Sequence, residues 1–142
     1  MRDIFYPNSV AVIGVSANPD NLGRNIVGNL VEYGFKGVVY AVGPKGGTIE
    51  TRRIYHSVED IPDMVDMAVI MTPAPTVPGI LEACGRKGIR RAVIQTAGFR
   101  EYDEGGQVLE KEIDRVAQQY GIRFVGPNCI GVINMENGLC VP

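Results

Sequence analysis

Five short stretches of this chain, residues 10–15, 38–42, 67–71, 92–96 and 122–125, are rich in Val, Ile and Ala and apolar almost without a break. A strand with one wet face alternates apolar and polar residues, so unbroken runs of this length imply strands buried on both faces. Two-faced burial needs cover on both sides, and the intervening segments supply it. Residues 24–33 place Ile26, Val27, Leu30 and Val31 on one helical face, and residues 77–87 do the same with Val77, Ile80, Leu81 and Cys84. Residues 104–120 group Val108, Leu109, Ile113, Val116 and Ala117, and each of the three segments runs into a glycine (Gly34, Gly88, Gly121) suited to a helix stop. Strand alternating with helix calls for a parallel sheet with right-handed crossovers. The expected fold is therefore α/β, a Rossmann-like doubly wound parallel sheet in a three-layer αβα arrangement. Only residues 43–62 break the rhythm, reading as loop with one helical turn at 57–61. Residues 126–142 lack a closing helix, so the chain reads as a single domain, 1–142, of the kind that opens a longer protein.

At 142 residues the chain matches one ordinary domain. A net charge of −2 gives no general attraction for nucleic acid or for an anionic lipid surface, and Arg52-Arg53 and Arg90-Arg91 are too sparse to make a nucleic-acid face. Neither nucleic acid nor membrane is expected as a partner. The three cysteines, Cys84, Cys129 and Cys140, are odd in number and lack paired spacing, which argues against a disulfide framework or a zinc site and suits a reducing cytoplasm.

In open parallel sheets ligands sit beyond the carboxyl ends of the strands, where the strand order reverses. The first such loop, Gly14-Val-Ser-Ala-Asn18, offers backbone at Gly14 and Ala17 and side-chain donors at Ser16 and Asn18, with Gly23 opening the helix behind it. A helix N-terminus following a tight turn favours an anion. The spacing is not the dinucleotide GxGxxG pattern, and small residues of this kind also serve packing alone. The second strand ends without the Asp or Glu that holds the ribose hydroxyls of NAD. It ends instead in Val42-Gly-Pro-Lys-Gly-Gly47, where Lys45, approached through Pro44, suits a phosphate on the ribose, the 3′-phosphate of coenzyme A or the 2′-phosphate of NADP, or simply faces solvent. The third loop, Thr72-Pro-Ala-Pro75, is stiff and small-sided: Thr72 and Pro73 give either a smooth wall for a ligand or a rigid connection. Gln95, Thr96, Ala97 and Gly98 in the fourth loop, which runs on to Arg100, offer backbone and a hydroxyl, and Asn128 with Cys129 in the fifth overlooks the same edge.

Taken together, Ser9-Val-Ala-Val-Ile-Gly-Val-Ser16, Val42-Gly-Pro-Lys-Gly-Gly47, Thr72-Pro-Ala-Pro75, Thr96-Ala-Gly-Phe99 and Gly126-Pro-Asn-Cys-Ile-Gly131 resemble the CoA-binding domain of the NDP-forming acyl-CoA synthetases. That is the family of the succinyl-CoA synthetase α subunit and the ADP-forming acetyl-CoA synthetases, and the resemblance spans essentially the whole chain. It implies that coenzyme A, or an acyl-CoA, lies across the strand ends. Ser16, Ala17 and Asn18 then contact the nucleotide end, Lys45 binds the coenzyme, Thr72 and Pro73 line the wall, and the backbone of Gln95, Thr96 and Ala97 meets the coenzyme further along. Many members read Asn before the Pro-Lys pair where this chain has Gly43, a change expected to loosen the loop.

The resemblance also implies partners. Family catalysis passes a phosphoryl group through a histidine on a later domain and uses an ATP-grasp region. Neither context is present here, so the chain is expected to bind coenzyme A as the N-terminal module of an acid-thiol ligase without activating an acid alone. Its one histidine, His56, precedes the Asp60-Ile-Pro62 turn and reads as a turn or surface residue. Cys129 has no base in its vicinity and reads as structural, with an ordinary thiolate fraction. Two rivals stand beside this reading: a stand-alone CoA-binding regulatory protein, and an NADP-binding oxidoreductase or redox-sensor domain, which Lys45 permits but for which no proton donor or hydride-acceptor pocket is in view.

Overall fold

A computed structural model describes residues 2–99 and 103–142; Arg100, at the end of the fourth loop, lies outside them. The five apolar runs form the parallel strands β1 (Ser9–Ile13), β2 (Val38–Val42), β5 (Met67–Ile70), β6 (Arg91–Ile94) and β7 (Arg123–Val125). Two further strands, β3 (Thr48–Ile49) and β4 (Arg52–Tyr55), complete a seven-stranded sheet of order β3-β4-β2-β1-β5-β6-β7, in which only β3 runs antiparallel. The long helices are α2 (Leu22–Glu32), α3 (Val77–Lys87) and α4 (Glu104–Tyr120), and a short α1 (Arg2–Phe5) precedes β1.

Alternate residues of each strand feed two separate cores, which is why the runs are unbroken. Ala11, Ile13, Ala68, Ile70, Ala92 and Ile94 pack with Leu81 and Cys84 of α3 and Ile113 and Val116 of α4. Val10, Val12, Met67, Val69 and Val93 face the other way, against Ile26, Val27 and Leu30 of α2. The three expected helix stops hold: Gly34, Gly88 and Gly121 all have positive φ. No helix among the described residues is long and apolar enough to cross a membrane.

Two expectations need correction and a third holds. The segment 43–62 is not merely loop, because β4 pairs parallel with β2 in the register Ala41↔Ile54 and Val42↔Tyr55. The expected turn at 57–61 is present as a 3-10 turn, Val58–Asp60, with Ser57 as its cap. The tail does not simply lead outward: β8 (Val132–Asn134) and β9 (Leu139–Val141) form an antiparallel hairpin whose Val132, Leu139 and Val141 are buried in the α2-side core. That core is therefore closed by α2, α1 and a hairpin.

Candidate functional site

β1 lies between β2 and β5, and the chain leaves it in one direction while β5 returns on the other side. The loops after β1 and β5 consequently diverge, one into α2 on one face and the other into α3 on the opposite face, leaving a crevice at the carboxyl edge. A cavity of about 460 Å³ occupies it, lined by Ile13–Ser16, Asn21, Val42–Lys45, His56–Val58, Met71–Pro73, Thr76, Ile80 and Ala83. This size suits a nucleoside-sized group. Its lining is mostly apolar, and among the described residues the only ionisable ones in it are Lys45 and His56, both exposed.

The first loop is held from within. Gly14 has φ +108°, and a Cβ there would meet the Met71 carbonyl oxygen at 2.7 Å, so β1 and β5 close on each other only through glycine. The amides of Gly14 and Val15 both donate to the Val42 carbonyl, each at 2.9 Å. Asn21 ties the rest: its Nδ2 donates to the Gly14 carbonyl at 3.0 Å, and its Oδ1 accepts from the amides of Ser16 at 3.1 Å and Arg24 at 2.7 Å. Asn21 is thus both the N-cap of α2 and the clasp of the loop. The loop's anion-binding capacity is correspondingly narrower than the sequence suggests. Within residues 14–25, the amides without an acceptor are those of Ala17 and of Leu22 and Gly23 in the first turn of α2. Gly23 itself is buried, its missing Cβ admitting the Gly14 carbonyl oxygen at 2.6 Å.

Lys45 sits in a tight turn closed by the Gly46 amide on the Gly43 carbonyl at 3.2 Å. Gly43 does not loosen this turn. A Cβ at position 43 would lie 1.8 Å from the Val15 carbonyl oxygen, so the missing side chain is what lets the first and second loops touch. The Gly43 amide donates to the Tyr55 carbonyl at 2.8 Å, and His56 Nδ1 donates to the Pro44 carbonyl at 3.0 Å, tying the turn to the end of β4. Lys45 is exposed, and its ammonium has no partner among the described residues. Opposite, Thr76 Oγ1 donates to the Pro73 carbonyl at 2.6 Å and lies 2.8 Å from Thr72 Oγ1, which fixes the smooth wall.

Of the residues singled out from sequence, Gly14, Ser16, Pro44, Lys45, Thr72 and Pro73 come together around the cavity. Ala17 and Asn18 are exposed on the adjoining turn, where the Asn18 amide donates to Ser16 Oγ at 3.3 Å. Gly23, behind the first loop, does not line the cavity, and neither do Gln95, Thr96, Ala97 and Gly98, which follow β6, or Asn128, which follows β7. Thr96 Oγ1 donates to the Thr72 carbonyl at 2.8 Å, Gln95 Nε2 to the Val141 carbonyl at 3.0 Å, and the Asn128 amide to the Thr96 carbonyl at 3.0 Å. Ala97 is exposed, and Gly98 takes φ +98°. Cys129 is half-buried with its Sγ 3.4 Å from the Ile94 carbonyl, and burial pushes its thiol up, leaving less thiolate than an ordinary cysteine holds.

Sequence reasoning did not place Asn21, Ser57, Val58 or Ile80 at the site, and it read His56 as a turn or surface residue, as its exposure bears out, without placing it beside the cavity. Asn21 carried a readable signal, an Asn directly before an amphipathic run. His56 carried none, since its placement depends on β4.

A family model described as CoA binding domain matches residues 8–135. Acetate–CoA ligase (ADP-forming) II of Archaeoglobus fulgidus is 48% identical over 138 residues, covering 97% of this chain and 20% of that protein. The α subunit of acetate–CoA ligase (ADP-forming) I from Pyrococcus furiosus is 48% identical over 137 residues, 94% of this chain and 30% of that one. Among solved structures, the apo form of the dinucleotide forming acetyl-coenzyme A synthetase 1 of Ca. Korarchaeum cryptofilum superposes with a TM-score of 0.93 at 39% identity, over 99% of this chain and 30% of that one. The chain thus spans between 20% and 30% of the length of these relatives. The match over residues 8–135 bears out the resemblance read from the five loops: the chain belongs to the CoA binding domain family.

Proposed function

We propose that this domain holds coenzyme A along the carboxyl edge of its sheet as the CoA-binding module of an NDP-forming acyl-CoA ligase. The observation that carries the reading is the cavity at the switch point, mostly apolar in its lining and with the exposed Lys45 beside it. The residues fit the ligand's chemistry. Val58, Ile80 and Ala83 give a wall for a base, and Lys45 offers a cation to a ribose phosphate where an NAD site would carry an acid. The amides of Leu22 and Gly23, at the positive end of α2, attract the diphosphate. Ser16, Ala17 and Asn18 flank that end, and Thr96, Ala97, Gly98 and Asn128 support the remainder of the ligand along the rim.

When bound, coenzyme A supplies the thiol that receives an acyl group. The contribution of this chain is placement, and holding a reactant in one orientation is a large catalytic factor even for a domain that owns no reacting group. The acyl donor would come from a phosphohistidine domain and an ATP-grasp domain or subunit, in keeping with relatives three to five times as long. A cytoplasmic setting, which keeps the three free cysteines reduced, completes the reading.

Calorimetric titration of the chain with coenzyme A, dephospho-CoA, NADP and NAD tests it. Coenzyme A is expected to bind most tightly. Lys45→Ala should erase the advantage over dephospho-CoA, roughly 1–3 kcal/mol for a charge-assisted contact. Tight NADP binding without coenzyme A binding overturns the proposal.

A further inference from the structure

We propose that the paired hydroxyls of Thr72 and Thr76 read the base of the ligand, accepting a hydrogen bond from an exocyclic amine and so favouring adenine over a purine that lacks one. The inference rests on the coenzyme A reading and deepens it, assigning two specificity-determining residues to the same cavity.

Helical spacing places the pair. Thr76, Ile80 and Ala83 all line the cavity, and steps of four and three residues put them on one stripe at the start of α3. Thr76 stands immediately before the helix, and its side chain is not spent on a cap hydrogen bond. A flat group lying on Ile80 and Ala83 therefore meets a polar edge at the N-terminal end of the stripe, Thr76 and, 2.8 Å from its hydroxyl, Thr72. Thr72 is fixed from two sides. Its carbonyl accepts from Thr96 Oγ1 at 2.8 Å, and its Cγ2 methyl lies 3.4 Å from where a Gly14 Cβ would stand, against the first loop.

The protons of the pair are already committed. Thr76 Oγ1 lies 2.6 Å from the Pro73 carbonyl oxygen, and two oxygens that close repel unless a proton lies between them. A carbonyl has none to give, so the Thr76 hydroxyl supplies it. The 2.8 Å contact between the hydroxyls then takes the Thr72 proton, and the bonds run in one direction, from Thr72 to Thr76 to Pro73. A hydroxyl has a single proton but can accept twice, so both oxygens retain acceptor capacity and nothing else. The amine of adenine is the donor that this edge lacks. Unsubstituted purine brings none, and leaves the same oxygens without a donor once the base has covered them. Ile80 and Ala83 present the same apolar surface to either base, so discrimination falls to the hydroxyls.

Affinities for coenzyme A and for its analogue carrying unsubstituted purine in place of adenine are measured by calorimetry. Wild type should prefer coenzyme A roughly five- to tenfold, as befits one hydrogen bond whose loss strands its acceptor. The double variant Thr72→Ser with Thr76→Ser keeps both hydroxyls and should keep the preference. Thr72→Val with Thr76→Val keeps the branched shape and should bring the two ligands within about twofold, by weakening coenzyme A and leaving the analogue where it was. Thr72→Val alone, which spares the Thr76 bond to Pro73, should at least halve the preference, and it reads the same ratio if the double valine variant does not fold. Equal binding of the two ligands by wild type, a full preference surviving in the valine variants, or its loss in the serine variant overturns this inference and leaves the coenzyme A reading standing. Failure of wild type to bind coenzyme A overturns both.

Discussion

Gly43→Ala should damage stability and ligand binding together, because it separates the two loops that make the site. The added Cβ would lie 1.8 Å from the Val15 carbonyl oxygen, where ordinary contact begins at 3.4 Å, and the obstructing atom is backbone with no rotamer to change. Relief requires one loop to move. Moving residue 43 strains its amide bond to Tyr55 at 2.8 Å and the Gly46 to Gly43 bond that closes the Lys45 turn; moving residue 15 strains the shared acceptor at Val42. Overpacking of this kind costs about 1–3 kcal/mol, and each weakened hydrogen bond adds about 1 kcal/mol, so a loss of about 3 kcal/mol is expected. For a domain of this size that lowers Tm by about 6–12 °C. Gly28→Ala is the matched control: it lies inside α2 with no atom within 4 Å of the new Cβ, so the same chemical change should stabilise by up to about 1 kcal/mol. Urea denaturation followed by coenzyme A titration reads both effects. A Gly43→Ala protein that melts within about 2 °C of its parent and binds coenzyme A equally well would refute the claim that the missing side chain sets the loop spacing.

Asn21→Ala removes the α2 cap and both loop contacts, so it should cost about 1–2 kcal/mol in urea denaturation and weaken coenzyme A binding in the same preparation. Burial pushes the Cys84 thiol up to about 12. Because the folded protein holds that proton more firmly than the unfolded chain, the contribution is complete below the ordinary thiol range and is lost as pH rises toward 12. Wild-type stability should therefore fall relative to Cys84→Ala between about pH 9 and pH 11, by up to about 1.4 kcal/mol per pH unit, in parallel urea titrations. Leu139→Ala, at a fully buried hairpin position facing the α2 side, should cost about 2–5 kcal/mol by the same denaturation assay.

The parts of the fold legible in sequence are those whose burial is two-sided. β1, with all five residues buried, announces itself by an unbroken Val and Ile run. β4 does not. In Arg52-Arg-Ile-Tyr55 only Ile54 is buried, because the strand lies near the sheet edge and the two arginines stay wholly or partly in solvent, so its pattern matches that of a polar loop. His56 is the exposed turn residue that the sequence suggests, but its place beside the cavity was hidden by that one omission: a histidine after a loop has no defined neighbour, whereas a histidine after a parallel strand is delivered to the carboxyl edge. The hairpin was missed for a related reason. Its strands are three residues each, too short for periodicity, and their pairing is visible only once Leu139 and Val141 are seen packed against α2. The internal bonding of the first loop was illegible for another reason, since residue types cannot show that the Val42 carbonyl reaches across to take two of its amides.

That internal bonding bears on how the site works. The loops after β1, β2, β4, β5 and β6 form a linked series: Val42 to Gly14 and Val15, Gly43 to Tyr55, Pro44 to His56, Ile13 to Met71, and Thr72 to Thr96. Gln95 extends the series to the end of the hairpin at Val141, and Asn128 joins it through Thr96. Amides consumed in this way are lost to a ligand, yet the same bonds mean that the cavity wall is ordered before anything binds. A ligand then forgoes the cost of immobilising loops, about 0.5–1.5 kcal/mol for each flexible side chain that would otherwise be ordered. For a domain whose proposed task is to present a long, flexible thiol-bearing molecule to chemistry carried out elsewhere, a wall already in place is the more useful property. It leaves the side chains without internal partners, Lys45 above all, to discriminate among ligands rather than to shape the pocket.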